Sequence, residues 1–241
     1  MEPPASVTAE NLRDEKVKLL RAIEVPREVD AIDRVVRAQY SAGVAGGARF
    51  PAYRDEEGVD PASTTETYVA LRLMIDNWRW AGVPVYIRTG KRLAKRTTEV
   101  AFQFQSVPHL AFGDRVMRGL RPDALVLRIQ PDEGISLFFG AKVPGDRLQL
   151  ETVSMNFAYA QAFGAVTADA YERLLHDAMI GDPTLFVRTD EVEQAWSIVD
   201  PLLDVFAGGL VPLDRYEAGS WGPRESDRLL DRDRDHRWRD L

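Results

Sequence analysis

Between residues 83 and 159 the apolar residues recur with a period of two, and this pattern restricts the fold more than any other. Its clearest instance is Val100, Phe102 and Phe104 alternating with Ala101, Gln103 and Gln105. Successive side chains on a strand point to opposite faces, so the alternation specifies a strand with one apolar face. Further runs over residues 83–88, 125–130, 135–143 and 148–159 read as successive antiparallel strands, spaced too closely for crossover helices. Pro131, Asp132, Glu133 and Gly134 have turn chemistry and predict a hairpin. In the last run the apolar parity changes from Leu148 and Leu150 to Val153, Met155, Phe157 and Tyr159, which predicts a bulge or bend near Thr152.

On either side of this region the period is helical. Leu12, Val17, Leu19, Leu20 and Ile23 predict a helix over residues 12–23 that ends before Pro26. Residues 35–40 read as a strand, and Gly43, Gly46 and Gly47 mark an irregular loop. Ser63 and Glu66 stand at capping-box spacing, with Tyr68, Leu71, Ile75 and Trp78 at intervals of three and four. A helix over residues 65–80, stopped by Gly82 and Pro84 and packed on the sheet, is expected. A third helix carries Tyr171, Leu174, Leu175, Ala178 and Met179 on one face and stops at Gly181 and Pro183. A fourth starts near Thr189 or Asp190 with Val192, Trp196, Val199 and Leu203, and Pro201 is expected to kink or divide it. The fold class is therefore α+β, with the strands of residues 83–159 in one mostly antiparallel sheet and helices packed on it.

With 241 residues, 45% of them hydrophobic, the chain can bury a full core. The terminal string DRDRDHRWRDL alternates charge without an apolar stripe, so residues 224–241 are expected to form a flexible tail. A net charge of -7 argues against a general nucleic-acid surface, and any anion site must be local. Absence of cysteine excludes disulfides and thiolate metal sites. No stretch approaches the ~20 apolar residues of a membrane span, and the first residues show no signal-like apolar segment, so a cytoplasmic protein is expected.

The densest chemical feature is RTGKRLAKR, which places Arg88, Lys91, Arg92, Lys95 and Arg96 in one short connection of an acidic chain. Such cations can hold a phosphate, and Gly90 lets the backbone approach a ligand, although an exposed basic hairpin has the same pattern. The three histidines, His109, His176 and His236, lie in contexts that read as structural or solvated. Glu56 and Glu57 read as solvated loop carboxylates. Of Trp78 and Trp80, which flank Arg79, one reads as core and the other as packing on a partner or a ligand-side loop. The glycines near residue 46 lack the dinucleotide fingerprint spacing, and no such motif occurs in the chain.

Several longer strings are specific. EEGVDPASTTETY (56–68), IDNWRWAGVPVYIRTGKRL (75–93), RIQPDEGISL (128–137), YERLLHDAM (171–179) and YEAGSWGP (216–223) resemble glucose-6-phosphate dehydrogenases, in order along nearly the whole chain. The resemblance implies a C-terminal domain of that type over residues 1–241. Family members oxidise glucose 6-phosphate at C1, pass a hydride to NADP or NAD, and open the pentose phosphate pathway. Their nucleotide-binding domain, the R-I-D-H-Y-L-G-K-E substrate motif and the N-H-L-L-Q motif with the base histidine would all lie upstream of the matched strings. No catalytic residue and no metal ligand is therefore expected in this chain. The family's GK motif falls on Gly90 and Lys91, which makes Lys91 a substrate contact, and the second basic contact falls on Arg96. Arg88 matches a contact to a structural NADP in animal members, which carry arginine where this chain has Trp221. The implied partners are glucose 6-phosphate, a second copy of the chain in a dimer formed through the sheet, and a separate N-terminal half that holds most of the NADP. The alternative reading is a non-catalytic remnant or oligomerisation module.

Overall fold

The computed structural model describes residues 1–26, 28–106, 120–164, 170–231 and 236–239. The chain divides into two compact units, one formed by residues 1–95 and 170–241 and the other by residues 96–169.

The first unit is built on β2 (Val35–Ser41), whose first six residues are all buried. A strand covered on both faces needs apolar residues without alternation, which VVRAQY nearly supplies. It pairs antiparallel with β5 (Tyr68–Ile75) and parallel with β11 (Leu213–Glu217). β5 also pairs with β1 (Ile23–Glu24) and with β6 (Val85–Gly90). One face of this five-stranded sheet is filled by Val36, Ala38, Tyr40, Tyr68, Tyr216 and Leu229. The other carries Ala31 of α2 (Glu28–Arg34), Val35, and Leu202, Val205 and Phe206 of the helix Thr189–Ala207. The buried Arg37 is satisfied there: its Nε donates to Val211 O at 3.1 Å, and the guanidinium sits over the Phe206 ring at 5.0 Å.

Helix α1 (Ala9–Arg21) starts three residues before the expected Leu12, where the Thr8 hydroxyl accepts from Asn11 N, and ends with basic residues in its last turn. Val17 is its one buried residue, and charges attach it to the Thr189–Ala207 helix. Arg188 pairs with Asp14 at 2.6 Å and Lys16 with Glu191 at 3.3 Å.

Residues 65–80 do not form the expected helix. Residues 68–75 are a strand because YVALRLMI is apolar at nearly every position and fits either period, while β2, β1 and β6 satisfy its backbone. Ser63 closes a local turn on Thr65 N at 3.3 Å instead of capping a helix. Asn77 Oδ1 accepts from Arg79 N and Trp80 N in a second turn, which leaves Trp78 fully exposed and Trp80 half-buried. The glycine segment, expected to be irregular, contains a small hairpin of β3 (Gly43–Ala45) and β4 (Ala48–Phe50). Its two-residue turn is Gly46 and Gly47, both at positive φ.

The second unit is a four-stranded antiparallel sheet in the order β10-β9-β8-β7, where β7 is Thr98–Gln103, β8 Ala124–Gln130, β9 Gly134–Lys142 and β10 Leu150–Ala158. The strands of residues 83–159 thus do not form one sheet, since β6 belongs to the first unit. The hairpin at residues 131–134 is present between β8 and β9. No bulge occurs near Thr152: β10 runs in unbroken register with β9, and the irregularity lies at Thr98 and Glu99 instead. β10 is exposed along most of its length on both faces, so the parity of its apolar residues is not tied to one buried side.

The helix after β10 is one turn (Tyr159–Phe163), and the next, Ala170–Ile180, stops at Gly181 as expected. Pro201 does not divide the helix Thr189–Ala207, whose buried side is Ile198, Leu202, Val205 and Phe206. The stripe picked out by periodicity, Val192, Trp196, Val199 and Leu203, is the exposed one. The described part of residues 224–241 is packed and does not form a free tail. Ser226, Leu229 and Leu230 are buried around the short helix Arg224–Leu229, and Trp238 lies against the core with its Nε1 donating to Ser226 O at 3.1 Å. Among the described residues no helix is long and apolar enough to cross a membrane.

Candidate functional site

The basic connection begins where β6 ends at Gly90, opposite Tyr68. A Cβ on Gly90 would meet the Tyr68 ring at 2.9 Å, so the backbone here requires glycine. Lys91 N donates to Thr67 O at 2.8 Å, and the Tyr216 hydroxyl donates to Lys91 O at 2.7 Å. Arg92 adopts φ 51°, in the left-handed region, and its carbonyl accepts from Gly219 N at 2.7 Å. Ala94 N then donates to Ser220 O at 3.0 Å. The GKRLA backbone is therefore stitched to residues distant in sequence, which separates it from an exposed hairpin tip. The stitch needs close approach: a Cβ on Gly219 would fall 1.8 Å from Val44 O.

Lys91 lines a cleft of about 310 Å³ together with Tyr40, Tyr53, Glu56, Thr67 and Arg92. The Lys91 side chain is exposed, and its ammonium has no partner among the described residues. Arg92, by contrast, lies 3.8 Å over the Phe50 ring and 3.6 Å from Glu56. Burial, reinforced by Glu56 and opposed by Arg92, pushes the Tyr40 hydroxyl up to about 12. Burial likewise pushes Tyr216 up to about 12, against its bonds to Thr67 and Lys91. Two cations, one carboxylate and several hydroxyls thus face one opening, a set that matches an anionic, polyhydroxylated ligand.

Of the residues singled out from sequence, Lys91 lies in this cleft. Arg96 is the first residue of the second unit, exposed and without a partner among the described residues. Arg88 is not among the residues lining the cleft: its guanidinium lies 5.2 Å over the Trp221 ring and 5.0 Å over Trp238. Glu56, read as a solvated loop carboxylate, is half-buried at the cleft, while Glu57 is exposed. Tyr40, Tyr53 and Thr67 carried no signal in the sequence, since their convergence depends on β2, β5 and the turn at Tyr53–Asp55 meeting in space. His109 lies outside the described residues. His176 is exposed beside Asp177, and His236 packs against Tyr86 with ring centroids 5.8 Å apart. No group of metal-ligating side chains occurs among the described residues.

The family model described as glucose-6-phosphate dehydrogenase, C-terminal domain, matches residues 1–239. A glucose-6-phosphate 1-dehydrogenase of Aggregatibacter actinomycetemcomitans is 49% identical over 230 residues, which is 95% of this chain and 46% of that protein. Its counterpart in Bacillus subtilis is 44% identical over 240 residues, covering 99% and 48% respectively. A crystal structure of the Mycobacterium avium glucose-6-phosphate 1-dehydrogenase superposes with a TM-score of 0.82 at 38% identity, over all of this chain and 47% of that one. A glucose-6-phosphate dehydrogenase in complex with its substrate glucose-6-phosphate gives 0.84 at 34% identity, over 100% and 48%. The chain spans about half the length of these relatives. In sequence and in fold, this chain belongs to the glucose-6-phosphate dehydrogenase family and corresponds to its C-terminal domain.

Proposed function

We propose that this chain forms the substrate side of a glucose-6-phosphate dehydrogenase, with Lys91 donating to the oxygens of glucose 6-phosphate. The observation that carries this reading is the Lys91 ammonium, without a partner among the described residues and held at a cleft by a backbone fixed on both sides. Fixing a cation before the ligand arrives reduces the ordering cost of binding.

NADP does not fit the described residues. Gly43, Gly46 and Gly47 belong to the β3–β4 hairpin and do not open a helix toward a pyrophosphate. Arg88, the residue linked by resemblance to a structural NADP, is stacked on two indoles. Hydride acceptance and the base for the C1 proton are therefore assigned to an N-terminal half, and this chain alone is expected to reduce no NADP.

Calorimetric titration of the chain with glucose 6-phosphate, glucose and inorganic phosphate tests the reading. Binding of glucose 6-phosphate that Lys91→Ala weakens supports it; equal binding by Lys91→Ala overturns it.

An oligomerisation role has its own support. Val100, Phe102, Leu137, Val153, Met155 and Phe157 share one face of the second sheet by register, and all are exposed. An apolar face of this kind fits an isologous dimer.

A further inference from the structure

Tyr216 lies in β11, far in sequence from the basic connection, and is almost fully buried. Its ring packs 5.5 Å from Tyr68 and 6.3 Å from Tyr40, centre to centre. Its hydroxyl is 2.7 Å from Lys91 O and 3.1 Å from both Thr67 O and Thr67 Oγ1. A phenol has a single proton, and the shortest contact directs it to Lys91. The Thr67 hydroxyl, which itself accepts from Tyr40 N at 3.0 Å, completes the polar set around it.

The peptide groups on both sides of the Lys91 Cα are consequently held from outside the connection, one by Thr67 and the other by Tyr216. Arg92 is held in turn by Gly219, two residues past the end of β11. A lysine side chain has four rotatable bonds, and this one has no partner among the described residues, so the direction in which it reaches is set at its root. We propose that Tyr216 is a positioning residue for Lys91: its buried hydroxyl fixes the backbone from which the ammonium reaches the phosphorylated sugar. This inference rests on Lys91 being a substrate contact.

Tyr216→Phe removes the hydroxyl and keeps the ring. The full chain, Tyr216→Phe, Lys91→Ala and the double variant are titrated with glucose 6-phosphate, and amide exchange at Lys91 is followed by NMR without ligand. Losing one hydrogen bond to the anchoring backbone is expected to weaken binding about fivefold to tenfold. In the Lys91→Ala background the same change is expected to add almost nothing, since the two residues act in series. The Lys91 amide is expected to exchange faster in Tyr216→Phe. Unchanged affinity in Tyr216→Phe alongside weakened binding in Lys91→Ala overturns the proposal, as do additive losses or unchanged exchange at Lys91. If the unsubstituted chain fails to bind glucose 6-phosphate, the substrate-site reading falls, and the exchange measurement still decides whether Tyr216 holds the Lys91 backbone.

Discussion

The guanidinium of Arg88 lies 5.0 Å from the centre of the Trp238 indole, joining the middle of β6 to residues near the end of the chain. Trp221 offers a second ring at 5.2 Å, and Tyr86 meets Trp238 edge-on at 6.2 Å. Trp238→Ala removes a half-buried ring together with its cation–π contact and is expected to cost about 1–3 kcal/mol. Chemical denaturation of the two proteins measures the difference; equal midpoints would mean that residues 236–239 contribute nothing to stability.

Gly222 has φ 112°, and a Cβ there would come within 2.5 Å of the Tyr68 ring, a fully buried side chain. Gly222→Ala therefore combines backbone strain with overpacking and is expected to destabilise the first unit by about 1–3 kcal/mol. Thermal unfolding tests this, and a melting temperature within a degree of the unsubstituted chain would contradict it.

The pairing of Arg188 with Asp190 sets an acid limit on its contribution to stability. The bond from Arg188 holds the Asp190 carboxyl below its ordinary value of 3.8. A group depressed on folding adds stability above its unfolded pKa, and this is lost as pH falls through the folded value. Stability is thus expected to decline as pH drops below about 4, less steeply in Arg188→Ala. Urea unfolding at several acid pH values measures the slope; identical slopes in the two proteins would refute the assignment.

Tyr40 and Tyr216 set the opposite limit. Both hydroxyls are pushed up from 10.0 to about 12, so each stays protonated in the folded chain after it would ionise in the unfolded one. For groups raised on folding the contribution is complete below the unfolded value and disappears as pH climbs through the folded one. Phenolate absorbance should therefore show at least three late-titrating tyrosines, these two and Tyr68, whose hydroxyl burial also pushes up, with stability falling between pH 10 and about 12. Ionisation of every tyrosine near 10 would oppose this.

Met155 stands 63% exposed near the middle of β10, the first strand in the order of the second sheet, on its apolar face. If that face joins two copies, Met155→Asp places an unpaired carboxylate in the contact, and the chain should sediment as a monomer. A monomeric unsubstituted protein, or a dimer that survives the substitution, would exclude this interface.

The sequence by itself determined the antiparallel strands of the second unit, the turn at residues 131–134 and helix α1. In each of these the apolar period or the capping residue acts between near neighbours. It also singled out Lys91 as a candidate, through a string whose resemblance extends well beyond the lysine. Tertiary structure decided the rest. Residues 68–75 are apolar at nearly every position, so either period fits, and only the pairing of β5 with its neighbours makes them a strand. The exposed stripe of the helix Thr189–Ala207 is as periodic as its buried one, and local sequence contains nothing that says which side meets the sheet. Glu56 and Tyr216 likewise gain their contacts from partners tens to more than a hundred residues away. Residue types and spacing set local geometry, whereas the convergence of distant side chains depends on how the whole sheet closes.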